Sequence, residues 1–319
     1  MAQDFVLAAE WYEKAAAGGC VKSRYRLGEM YYRGDGVEQD FVRAVAEFRR
    51  AAEEGEGGGH AEAQRFLGIC YYNRHGVEKD HVQARAWYKK AALHGDMDAA
   101  FNAAGMCQDG EGGEKDLEDA ERTFRRLAGN GCGKSQNQLG CMYHNGEGVA
   151  EDDIQAMAWF TKSAANEIPQ GQANLARCHL EGRGVERDVF EAGRLFRLAA
   201  LQRHAAAQWH LGEIFRAGEL HCGAKLKRAR KYFYMAAEQG HPDAIARLAQ
   251  MNCERLHCAL CGADDAPSEC ALCHRVRYCD LVCSHAHWRH GGGFQFPARG
   301  AAEDPHEHTC KRTYARSGE

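Results

Sequence analysis

The stretch from Ser135 to Ala165, SQNQLGCMYHNGEGVAEDDIQAMAWFTKSAA, decides the fold. Ser135 and Gly140 are small residues five apart. Gly146-Glu147-Gly148-Val149 interrupts the segment they open, and Asp152 then precedes Ala156 and Phe160 at intervals of four. An Asp accepts hydrogen bonds from the free N–H groups that start a helix and sits well at the positive end of its dipole. Ala156, Phe160 and Ala164 then form one apolar stripe on that helix. Small residues on the earlier segment let a second helix approach closely, and glycine in the turn reaches the positive φ that ends a helix. The stretch predicts a helical hairpin.

The same frame recurs along most of the chain. Ser23, Ala63, Ala100, Ser135, Gly171 and Ala207 are each followed five positions on by Gly28, Gly68, Gly105, Gly140, Ala176 and Gly212, a period of about 36 residues. Asp40, Asp80, Asp116, Asp152 and Asp188 precede Ala44, Ala84, Ala120, Ala156 and Ala192, and then Phe48, Tyr88, Phe124, Phe160 and Phe196. Turns such as Gly34-Asp35-Gly36-Val37 and Gly182-Arg183-Gly184-Val185 join the halves, with a Val free to fold back onto the seam. The third unit drifts, with Gln108 and Gly113 where Tyr and Val are usual; the fifth has Ala176 and His179. The chain opens on a second helix without a first (Asp4, Ala8, Tyr12, Ala15, Gly19), so either the protein extends upstream or this helix is the cap. The repeats close on a first helix without a second (Ala244, Leu248, Ala249). Glu56 to Gly59 is expected to be a flexible loop.

Units built from Leu-Gly-x-x-Tyr, Gly-x-Gly-Val, Asp and Trp-Tyr-x-Lys-Ala-Ala resemble Sel1-like repeats, relatives of the tetratricopeptide hairpin, over roughly residues 4 to 252. The resemblance implies an all-α fold, an α/α superhelical solenoid occupying residues 1–252. A small two-zinc module is expected at 253–319, docked on the last repeat.

That module is read from seven cysteines and one histidine: Cys258-x2-Cys261, Cys270-x2-Cys273, Cys279-x3-Cys283 and His306-x3-Cys310. A Cys-x2-Cys knuckle aims two thiolates at one point, and a structural zinc takes four such ligands with no open position. Cys279 and Cys283, like His306 and Cys310, are four apart and share one face of a helix. Consecutive and interleaved pairing of knuckles with helices use the same residues. A disulfide framework is the competing reading, and the knuckles with an added His-x3-Cys point to zinc instead.

This run, with Tyr278 before Cys279 and Trp288 after Cys283, looks like the MYND-type zinc finger across about residues 258 to 310. The resemblance implies interleaved sites: Cys258, Cys261, Cys279 and Cys283 on one zinc, and Cys270, Cys273, His306 and Cys310 on the other. The stretch Gly291 to Pro305 is longer than the family usually allows, so His290, His306 and His308 compete for the last histidine. His308 would point to the opposite side of a helix from Cys310 and His290 follows Trp288 too closely; the reading takes His306. By resemblance, such fingers bind short proline-containing peptides.

Composition limits the alternatives. Net charge is −4 and hydrophobic residues make up 45 % of the 319, with a mean hydropathy of −0.59. Nucleic-acid binders usually carry a strong basic excess, which this chain lacks. No apolar run is long enough to span a membrane and no secretory leader is evident, so no membrane partner is expected and the cysteines should meet a reducing cytoplasm or nucleus. Residues 129–135, GNGCGKS, nearly spell a phosphate-binding loop, but Ala128 stands where its first glycine should be and no strand precedes it. Cys70, Cys107, Cys141 and Cys178 read as small buried hydrophobes. Trp87, Trp159 and Trp209 read as core. A closed zinc activates no water, and no catalytic constellation is found. The expectation is a non-enzymatic adaptor that binds partner proteins. An F-box upstream would make it a substrate receptor of a ubiquitin ligase, and nucleic-acid binding by the finger is the reading from another class.

Overall fold

The computed structural model describes residues 2–54, 59–219 and 225–255, together with two short strands at 268–269 and 277–278. The loop expected at Glu56 to Gly59 lies outside these residues except for Gly59. They form two compact units, Met1–Arg187 and Asp188–Glu319.

The first unit is a run of helices joined by short turns. They are α1 (Ala2–Ala17), α2 (Val21–Arg33), α3 (Phe41–Glu53), α4 (Ala61–Asn73), α5 (His81–Leu93), α6 (Met97–Asp109), α7 (Leu117–Gly129), α8 (Gly133–Asn145), α9 (Asp153–Ala165) and α10 (Pro169–Glu181). The second unit contains α11 (Val189–Leu201), α12 (Ala205–Ala217), α13 (Leu226–Ala237) and α14 (Pro242–Arg255), then β1 (Ser268–Glu269) and β2 (Arg277–Tyr278). The fold is the all-α repeat class, with neighbouring helices packed on one another within each unit.

The frame residues act as expected. Asp40 accepts from the N–H groups of Val42 and Arg43, Asp152 from those of Ile154 and Gln155, and Asp188 from those of Phe190 and Glu191. Asp80 and Asp116 cap α5 and α7 in the same way. The series stops at α13, which opens on Lys225 without a side-chain cap. First helices end on a left-handed residue: Gly34, Gly110, Gly146, Gly182 and Gly218, but Arg74 after α4, held at φ 62°.

The second glycine of each turn has a further role. Gly76 lies so close to the start of α3 that a Cβ would stand 2.3 Å from the Phe41 carbonyl oxygen, and at Gly184 it would stand 2.4 Å from that of Asp153. The turn of one repeat thus closes on the opening of the preceding repeat's second helix.

Within a hairpin the core is a ring laid on a glycine. Phe48, Phe160 and Phe233 are fully buried and Tyr88 nearly so. A Cβ on Gly28, Gly68, Gly140 or Gly212 would lie 2.7, 2.6, 2.4 or 2.3 Å from the facing ring. Val37 and Val77 pack onto the first hydrophobic cluster and Val149 onto the next. Between hairpins, Arg49 donates to the Tyr71 hydroxyl and Arg125 to the Tyr143 hydroxyl, each at 2.8 Å. The sequence reading overlooked one element of the frame, the Gln that follows the small residue. Gln64, Gln136 and Gln208 are buried, and each donates to a carbonyl at the end of the preceding second helix: Ala52, Ala128 and Ala200 at 3.2, 3.1 and 3.1 Å. Helix ends leave carbonyls without intrahelical partners, and a buried amide needs a partner of its own, so each contact answers both requirements.

Candidate functional site

In the first unit, contacts between like helices are made by first helices: α4 packs on α6 and α8 on α10. First helices therefore line the inner side of this unit and second helices the outer side.

The inner side is rich in amides. Asn174 on α10 donates to the Asn137 side-chain oxygen on α8 at 2.8 Å, and Gln138 on α8 donates to Gln108 on α6 at 2.7 Å. Gln108 in turn donates to Glu147 at 2.8 Å. The Cys141 sulfur lies between Asn137 and Asn174, 3.9 and 3.7 Å from their nitrogens, and burial raises its thiol pKa. Next to it, His144 Nδ1 sits 2.9 Å from Asp153, with the Arg183 guanidinium 3.3 Å from Nε2. Gln108, whose position reads as drift in the sequence, is the residue that links α6 to both α8 and the next turn. Neutral amides both donate and accept, which suits hydrogen bonding to an extended backbone.

The recurrent thiols are core groups. Burial pushes Cys70 up to about 12 and Cys178 up to about 11, so both stay protonated at neutral pH. Cys70, Cys107, Cys141 and Cys178 are all free thiols. Trp87 is buried, and Trp159 packs on the third-repeat cluster. Trp209 stacks on His241.

Residues 129–135 run from the last residue of α7 through the turn at 130–132 into the first turn of α8, as the helical frame requires. A Cβ at Gly133 would meet Ile168 at 2.5 Å, and Ser135 is fully buried. These residues therefore serve packing.

The proposed zinc ligands, Cys258, Cys261, Cys270, Cys273, Cys279, Cys283, His306 and Cys310, lie outside the described residues, as do His290 and His308. Among the described residues no group of three or more His, Cys, Asp or Glu is placed to hold a metal, and no helix is long and apolar enough to cross a membrane.

Comparison with known proteins agrees with this geometry. The Sel1 repeat model matches residues 1–20, 21–56, 61–96, 98–131, 133–167, 169–204 and 205–241. Among curated proteins none matches. Two examples stand among the similar solved structures. One is c5321, a protective antigen present in uropathogenic Escherichia coli strains displaying an SLR fold, at 27 % identity and a TM-score of 0.64. That match covers 97 % of this chain but 60 % of the antigen's, so the chain spans less than two thirds of its length. The other is a Sel1 repeat protein from Oxalobacter formigenes, at 26 % identity and a TM-score of 0.66, covering 73 % of this chain and 96 % of that one.

Proposed function

The chain belongs to the Sel1 repeat family, a protein-interaction scaffold of non-catalytic kind, and on that premise we propose that it is an adaptor with two recognition surfaces. The first is the inner side of the repeats, where Asn137, Gln138 and Asn174 would meet the backbone of a partner peptide. The observation that carries this reading is the amide series running from α6 through α8 to α10. The amides are already hydrogen-bonded to one another from repeat to repeat, so the series forms without ordering on binding, which favours affinity.

The second surface is a zinc-stabilised finger that takes short proline-containing peptides, with Cys258, Cys261, Cys279 and Cys283 on one ion and Cys270, Cys273, His306 and Cys310 on the other. Thiolate and imidazole are the donors a structural zinc takes, and the metal would supply folding energy alone. Within this stretch β1 and β2 pair antiparallel, Ser268 with Tyr278 and Glu269 with Arg277, and the interleaved ligand set is the one that the resemblance to the MYND-type finger implies.

The test is metal analysis and peptide capture with the full chain and two variants, Cys279→Ser and Asn137→Ala/Asn174→Ala. The expected result is two zinc ions in the parent and at most one in Cys279→Ser, with proline-peptide capture lost there and the helical spectrum retained. The paired Asn variant should keep its zinc and lose partners of the repeats. Fewer than two tightly held zinc ions in the parent would refute the finger, and unchanged capture of repeat partners by the Asn variant would refute the inner surface.

A further inference from the structure

The outer side of the first unit carries two ladders that its core does not use. Ten residues beyond Asp4, Asp40, Asp80, Asp116 and Asp152 stand Lys14, Arg50, Lys90, Arg126 and Lys162, an exposed cation in each of five successive second helices. Two residues beyond the same Asp stand Val6, Val42, Val82 and Ile154, 46, 66, 62 and 65 % exposed, with Glu118 breaking the row. Positions two, six and ten lie four apart, so they climb one face of each helix. Exposed Ala46, Ala86 and Ala158 fill the middle of that face on α3, α5 and α9. Each of these helices thus presents an aliphatic foot and a cationic head.

Four of the five cations are held in place. The ammonium groups of Lys14, Lys90 and Lys162 sit over the rings of Trp11, Trp87 and Trp159 at 4.9, 4.2 and 3.9 Å. Arg50 is bonded to Glu47 one turn earlier. Among the described residues no carboxylate stands within ion-pair distance of Lys14, Lys90, Arg126 or Lys162. A chain of net charge −4 therefore presents four cations without an ion-pair partner, Lys14, Lys90, Arg126 and Lys162, on this face.

We propose that this outer face binds an acidic segment of a partner protein that carries aliphatic residues between its carboxylates. The carboxylates would meet Lys90, Arg126 and their equivalents, and the aliphatic side chains would cover Val42, Val82 and Ile154. Helices in contact lie on the order of 10 Å apart, and successive second helices, which do not pack on one another, stand somewhat further apart; an extended strand advances about 3.3 Å per residue, so one acidic residue in three or four keeps step with the ladder. A nucleic-acid backbone would satisfy the cations but offers no aliphatic surface to the valines. This face is distinct from the inner one, and either surface can fail without the other.

The experiment is fluorescence anisotropy of the zinc-loaded full chain with a labelled peptide bearing Asp at every third position and Val or Leu between. An otherwise identical peptide with Asn for Asp and a duplex DNA of equal charge serve as comparisons. Binding of the Asp peptide should exceed that of the Asn peptide by at least about tenfold, and Lys90→Glu/Arg126→Glu should weaken it by about a hundredfold, roughly tenfold per reversed charge. The milder Lys90→Gln/Arg126→Gln should weaken it in the same direction, which covers the case in which the reversed pair unfolds. Val42→Ser/Val82→Ser should weaken it by about fivefold. No binding of the Asp peptide, equal binding of the Asn peptide, an unchanged affinity in the charge variants, or tighter binding of the DNA would each overturn the proposal.

Discussion

The third and fourth repeats obey one sequence frame and pack differently. In the fourth, α8 and α9 close until Gly140 and the Phe160 ring leave no room for a Cβ, which would lie 2.4 Å from the ring. In the third, a Cβ at Gly105 would find nothing within 4 Å, and the Phe124 ring is instead tilted against Phe101 with centroids 5.5 Å apart. Gly113 stands where other turns supply a valine, and the Arg85 guanidinium occupies the place, donating to the Glu114 carbonyl at 3.1 Å and to the Cys107 sulfur at 3.0 Å. A glycine in the frame thus means close approach in one repeat and open space in the next. The Asp, Ala and aromatic positions set where helices start and which stripe they bury, whereas the fit between them depends on where each ring finally rests.

Removing the ring breaks the tight repeat most severely. Phe160→Ala should cost about 4 kcal/mol in urea unfolding, because the fully buried side chain leaves a cavity that the two helices cannot close. Adding a single methyl separates the two repeats by sign. Gly140→Ala should destabilise by about 2 kcal/mol, since the ring or the backbone must move. Gly105→Ala should stabilise by about 0.5 kcal/mol, the gain in helix propensity with no clash to offset it. If both variants shifted stability alike, the contrast between the repeats would be lost.

The helix caps give a smaller contrast, visible through pH. Asp152 caps α9 with a carboxylate, whereas α12 is capped by His204, whose Nδ1 accepts the Ala207 N–H at 3.2 Å. Burial, with the charge of His241 behind it, lowers the His204 pKa from its ordinary 6.5. The unfolded chain therefore takes up the proton more readily. The cap's contribution is present above pH 6.5 and is lost as pH falls below it. Melts at pH 7.5 and 5.5 should show a loss of about 1 kcal/mol for the second unit. His204→Asp should remove the part of that pH dependence that the cap carries.

Much of this was legible in the sequence because it rests on local rules. Asp40 to Asp188 had to cap helices, Gly146 and Gly182 had to end them, and the aromatic four beyond each Ala had to be buried; all do so. The buried Gln64, Gln136 and Gln208 were not legible, because a Gln after a small residue looks polar and exposed until the helix-end carbonyl it bonds is known. Nor was the inner amide series, since Asn137 and Asn174 sit in different repeats and only the approach of α8 to α10 joins them. Gln108 looked like decay of the pattern and is instead a bridge between neighbouring repeats.

The ring-on-glycine fit, more than helix content, sets the rigidity of each repeat, and amide hydrogen exchange on the full chain measures this directly. Amides of α8 and α9 should exchange more slowly than those of α6 and α7, with Gly140→Ala erasing the difference. Equal protection in the two hairpins of the parent chain, or faster exchange in α8 and α9, would contradict it.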